Sequence, residues 1–150
     1  MRSRCLPLAL AFLLAVISGA AADGVDPVPL LGLDLKAATD IFGLPQSMFA
    51  FRGTEEARDD VVFYYPDHLY LFWYKDRVWQ VRMDRRYDDS VLGLTLGMPR
   101  DQAEKLSPQP VIADGDSSYF DLDSGSFPIR VRLVFTQNVL SDVYVYRSDF

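Results

Sequence analysis

The chain has 150 residues, nearly half of them apolar, with 15 basic against 21 acidic side chains and a formal net charge of −6. That acid excess excludes the basic face that phosphate neutralisation requires, so nucleic acid is not an expected partner. The one cysteine, Cys5, cannot form an internal disulfide, and folding has to rest on burial.

Residues 1–22 read as a secretory signal. Arg2 and Arg4 make a basic start, an apolar stretch runs from Leu6 to Ile17, and Ser18 to Ala22 offers small residues for cleavage after Ala22. The stretch is shorter than the roughly 20 residues of a spanning helix, and Cys5 lies outside the cleavage point, so no stable membrane anchor is expected. Taking 22 residues from 150 leaves 128, enough for a core of ordinary size, and 13 bases against 21 acids. Export to a periplasm, or secretion, is the predicted destination.

Asp23 to Pro29 reads as an extended leader. Leu35, Ala38, Ile41 and Phe42 then fall on one helical face, predicting a helix over Leu35 to Phe42 with Asp34 as N-cap, Gly43 as stop and Pro45 barring continuation. Strand-forming residues follow: Ser47 to Phe51, the polar loop Arg52 to Asp60, Val61 to Tyr65, the turn Pro66-Asp67-His68, Leu69 to Tyr74, a reversal at Lys75-Asp76-Arg77, and Val78 to Met83. The charged run Asp84 to Ser90 is the predicted linker. Leu92-Gly93-Leu94 then repeats Leu31-Gly32-Leu33 at an offset of 61 residues, and Tyr74 and Val78 recur as Phe135 and Val139 at the same offset. A weaker apolar stripe, Met98, Gln102, Ala103 and Leu106, predicts a second helix with Pro99 in its first turn. Val111 to Ala113, Ser118 to Leu122, Ile129 to Thr136 and Val139 to Tyr146 are the remaining predicted strands.

The fold class so predicted is α+β: two tandem repeats of a short helix plus an antiparallel β-meander, helices packed on one sheet face. The expected divisions are 1–22 signal, 23–90 first repeat and 91–150 second repeat. The order Leu31-Gly32-Leu33, short helix, Phe42-Gly43-Leu44-Pro45 and a meander ending in Tyr74-Lys75-Asp76-Arg77-Val78 resembles the SmpA/OmlA family, the small lipoprotein of the outer-membrane β-barrel assembly machinery. It is also similar in plan to the tandem repeats of β-lactamase inhibitor proteins. The resemblance implies helices on one face of an antiparallel sheet and a concave opposite face that binds a partner protein. It departs from both groups, lacking the lipidated cysteine of the first and the disulfides of the second.

Motifs for chemistry are sparse. His68 stands beside Asp67, but no nucleophile accompanies it and no Gly-x-Ser-x-Gly elbow occurs, so an exposed turn histidine is expected. The run Asp114-x-Asp116-x-Ser118 starts like a calcium loop, yet Tyr119 and Gly125 occupy the positions that need glycine and glutamate, which leaves an acidic hairpin loop. No cofactor is predicted. The aromatics carry the functional reading, because they fall in the strands with Lys75, Arg77, Arg82, Arg130 and Arg132 interleaved, as on recognition surfaces. If Leu71 and Trp73 face the helices, alternation turns Tyr70, Phe72 and Tyr74 outward beside Tyr144 and Tyr146, with Arg130 and Arg132 sharing a face.

The predicted function is therefore an exported, non-enzymatic module that binds a protein partner, an envelope component, through Tyr70, Phe72, Tyr74, Arg130, Arg132, Tyr144 and Tyr146. Phe72→Ala or Tyr74→Ala is expected to abolish capture while leaving the fold intact. The alternative is a small-ligand carrier or hydrolase, with acids such as Asp59, Asp60 or Asp121 around a pocket.

Overall fold

The computed structural model describes residues 24–53 and 60–150. The predicted signal over residues 1–22, Asp59 and most of the Arg52 to Asp60 loop lie outside them.

A 3-10 turn, Val28–Leu30, leads into helix α1, Leu35–Phe42. The Asp34 carboxylate accepts from the Ala37 amide at 2.8 Å, and Gly43, at φ 73°, ends the helix by donating to the Thr39 carbonyl. Four strands follow, β1 Ser47–Phe51, β2 Asp60–Tyr65, β3 Leu69–Tyr74 and β4 Arg77–Asp84. A two-stranded hairpin, β5 Ser90–Val91 with β6 Leu94–Thr95, precedes helix α2, Arg100–Leu106. The chain closes with β7 Ile112–Asp114, β8 Ser117–Asp123, β9 Pro128–Thr136 and β10 Val139–Arg147.

All the strands outside the β5–β6 hairpin join in one antiparallel sheet, ordered β1-β2-β3-β4-β10-β9-β8-β7. The seam is the pairing of β4 with β10, in register from Asp84 against Asp142 to Gln80 against Tyr146. One face of the sheet is the core, where Leu71, Val81, Met83, Val131, Leu133, Val143 and Val145 are wholly buried. Its cover comes from several short pieces: Leu30 and Leu31, Ala38 of α1, Tyr87, Val91 and Leu94, and Ala103 of α2. Among the described residues no helix is long and apolar enough to cross a membrane.

This architecture corrects the predicted fold class. The protein is mostly sheet, one continuous eight-stranded antiparallel layer with two short helices, and not two helix-plus-meander repeats with helices packed on a sheet. Helices of eight and seven residues, about 12 Å long, cannot seat a full apolar stripe. Each buries a single alanine completely, while Leu35, Ile41 and Leu106, expected in the core, are 54, 58 and 60% exposed.

The 61-residue offset is corrected as well. Gly32 donates to the Val78 carbonyl just before α1; the same service before α2 comes from Gly97, donating to Leu140, while Leu92-Gly93 is the turn of the β5–β6 hairpin. The hairpin loops that correspond are Lys75-Asp76 and Gln137-Asn138, 62 residues apart. Pro99 is the cap of α2 rather than part of its first turn. Nor is Asp84 to Ser90 a free linker, because Asp84 and Tyr87 are buried.

Candidate functional site: an arginine–tyrosine row on the open sheet face

Strand alternation leaves the second face of the sheet uncovered by the core layer, and the register aligns its side chains in rows across the strands. One row runs Tyr64 (β2), Tyr70 (β3), Arg82 (β4), Tyr144 (β10), Arg132 (β9) and Tyr119 (β8), each directly opposite the next. Within it the Arg82 guanidinium lies 4.8 Å from the Tyr70 ring centre and 5.5 Å from that of Tyr144, and Arg132 sits 5.8 and 5.9 Å from Tyr144 and Tyr119. These are cation–π distances, so rings and guanidinium groups hold one another in place.

The next row is Phe49, Val62, Phe72, Gln80, Tyr146, Arg130 and Asp121. Its β1–β3 end is a second apolar cluster: Val62 is wholly buried, Phe72 is 5% exposed, and Phe51 packs edge-on against Phe72 with centroids 5.8 Å apart. Beside it, Phe72 pairs with Gln80 and Trp73 with Val78, leaving Trp79 as the extra residue of a bulge. Trp79 packs against Tyr146 and Phe150. Together these residues form a groove of about 380 Å³, with Phe72 and Gln80 in its floor, Phe49, Phe51 and Asp60 at one end and Arg132 and Tyr119 at the other.

Acids flank the rows and fix most of the cations. Asp142 is paired with Arg82, and Asp121 accepts from both Nε and Nη2 of Arg130 at 2.8 and 3.1 Å. Asp84, at the end of β4, accepts from the Tyr70 hydroxyl at 2.8 Å and from the backbone and side chain of Arg86. Burial opposes its ionisation, but these donors outweigh burial and hold the carboxyl well below the usual carboxylate range. Burial pushes the phenols of Tyr144, Tyr146 and Tyr70 up, so all three are neutral donors near pH 7.

Six of the seven residues predicted for docking share this region: Tyr70, Phe72, Arg130, Arg132, Tyr144 and Tyr146. Tyr74 stands at its margin, edge-on to Phe150 at 5.3 Å. Phe72 does not project as expected. The aromatic side chains of β1 cover it, so it is floor rather than contact surface, and the expectation that its truncation leaves the fold intact is corrected. Tyr65, Trp73 and Tyr87 lie in the core. Arg82, one of the interleaved cations, and Tyr64, Trp79 and Tyr119 belong to the same face beyond the seven predicted residues. Placing Arg82 and Tyr119 required only the parity of β4 and β8, whereas the Trp79 bulge has no sequence signal.

His68 is not simply exposed. It is half-buried at φ 61°, with Nδ1 3.0 Å from the Tyr64 hydroxyl and 3.9 Å from Asp84. The acids of the alternative reading do not converge: Asp60 lines the groove, while Asp121 pairs with Arg130 two strands away from the seam. Asp114 and Asp116 flank the Gly115 turn of the β7–β8 hairpin.

No family model matches the chain, and no curated protein matches it. Solved structures do. One is an extracellular protein containing an SCP domain from Bacillus anthracis, with TM-score 0.53 and 14% identity over 94% of this chain and 51% of that one. Another is a cysteine-rich secretory protein from Staphylococcus aureus, with TM-score 0.51 and 16% identity over 81% of this chain and 46% of that one. The chain thus spans about half the length of each, and the likeness is one of fold. It overturns the resemblance to SmpA/OmlA proteins and to β-lactamase inhibitor proteins, which neither neighbour is. Both neighbours are described as extracellular or secretory, which agrees with the export predicted from residues 1–22.

Proposed function

We propose that this is an exported, non-enzymatic binding module, periplasmic after cleavage near Ala22, that docks an envelope protein on the open face of its sheet. The observation that carries the reading is the row of tyrosines and arginines running from β2 to β8. A sheet face needs no cation–π ladder for stability, and half-buried charges cost solvation that an ordinary polar surface avoids. Large rings with polar tips, held rigid beside planar donors, are what protein interfaces concentrate at their centres.

The test is capture from an envelope extract by immobilised 23–150, beside the Tyr144→Ala/Tyr146→Ala variant. Retention of one partner by the parent and at least tenfold less by the variant, with cooperative unfolding preserved in both, is the expected result. Equal retention by the two proteins removes the open face from the function.

A further inference from the structure

Resting on that reading of the open face, the geometry points to its occupant: we propose that the groove takes a short extended acidic segment of the partner protein, one carboxylate seated on Arg132 and an apolar side chain lying against the exposed rings of Phe49 and Phe51.

The charge pattern supplies the first half. Most arginines around the sheet have an acid of their own, Arg82 with Asp142, Arg130 with Asp121, Arg86 with Asp84 and Arg147 with Asp149, and Arg85, in the turn after β4, is exposed. Arg132 is different. It is half-buried between two tyrosine rings, its Nε donates to the Ser117 hydroxyl at 3.0 Å, and among the described residues no carboxylate lies within ion-pair distance of it. Both terminal nitrogens are left with no protein acceptor among the described residues, and it lines the groove. A planar fork held in place with unused donors matches a carboxylate. A dense polyanion does not fit, since Asp121 and Asp142 lie in the neighbouring rows of a chain with net charge −6.

Shape supplies the second. The groove reaches from Asp60 on β2 across β3, β4 and β10 to Arg132 on β9. Four interstrand steps are about 19 Å, the length of about six extended residues. A small free carboxylate would fill only the Arg132 end. Between the ends lie the aromatic floor and Trp79, whose ring lines the groove.

The experiment pans a phage-displayed library of random octapeptides on the 23–150 protein and measures synthetic copies of the selected peptides by fluorescence polarisation. Selected peptides are expected to share one Asp or Glu a few residues from an apolar side chain. Changing that acid to its amide should weaken binding at least tenfold, and Arg132→Gln should cost the acidic peptide the same factor while costing the amide peptide nothing more, a coupled cycle. Arg132→Lys, which keeps the charge without the fork, should recover part of the loss, and Lys36→Gln on α1 should change nothing. Peptides without acid preference, or additive effects of the two changes, overturn the inference while sensitivity to Tyr144→Ala keeps the docking face. Absence of any Tyr144-sensitive binder overturns both. A sedimenting dimer abolished by Arg132→Gln would make the occupant a second copy and also overturn the proposal.

Discussion

Replacing Phe72 by alanine separates a floor residue from a contact residue. The side chain is 5% exposed, sits opposite the fully buried Val62, and meets Phe51 edge-on. Removing a buried phenylalanine ring generally costs about 3–5 kcal/mol, part of it transfer and part the cavity left behind. Here the space opens into the groove, where water and the Phe51 ring can fill it, so the cavity share falls. The loss expected is about 2–3 kcal/mol, including about 0.5–1.5 kcal/mol for the aromatic pair. Urea unfolding followed by tryptophan fluorescence should show a lower midpoint with an unchanged slope. A change within about 0.5 kcal/mol, the range of ordinary surface substitutions, would refute the claim that β1 covers this residue.

Acid should weaken the fold through Asp84. Its pKa is lowered on folding, so its contribution is present above the unfolded value of about 3.9 and is lost as pH falls from there toward the folded one. Urea midpoints measured from pH 6 to pH 2 should fall less steeply for Asp84→Asn than for the parent, and parallel curves would contradict the network around Tyr70 and Arg86. At the other end of the chain, Asp34→Ala removes the cap on Ala37 and should cost about 1 kcal/mol in the same assay, whereas Asp34→Asn, which keeps a capping oxygen, should cost a few tenths of that.

Much of the local structure was legible. Asp34 and Gly43 bracket α1 because capping depends on neighbouring backbone groups only, and the β9–β10 turn at Gln137-Asn138 follows from the same kind of short-range rule. Strand parity puts Tyr144 with Tyr146, and Arg130 with Arg132, on one face of their own strands, since a period of two is a property of each strand alone; that both pairs share a face with Tyr70 comes from the register between strands. The repeat was misread where a short phrase carried it. Leu92-Gly93-Leu94 matches the earlier Leu-Gly-Leu in letters, but the backbone contact belongs to Gly97, four residues on. Helix burial is not legible in the same way, because periodicity gives a direction and no depth: Ile41 lies on the apolar side of α1, yet among the described residues it is left 58% exposed.

By itself, then, the amino-acid order determined the acidic character, the signal-like start, the boundaries of the eight strands of the main sheet to within a residue or two, and the parity of those strands away from bulges, but not the β5–β6 hairpin. These depend on residues close together in the chain. Only the tertiary structure decided that β4 meets β10, which places Arg82 beside Tyr144, 62 residues later. It likewise decided that β1 closes over Phe72 and that Arg132 has no acid of its own among the described residues. Which side chains a strand lends to a surface is local; whether each finds a cover or a counter-charge depends on segments that the chain brings together only when it folds.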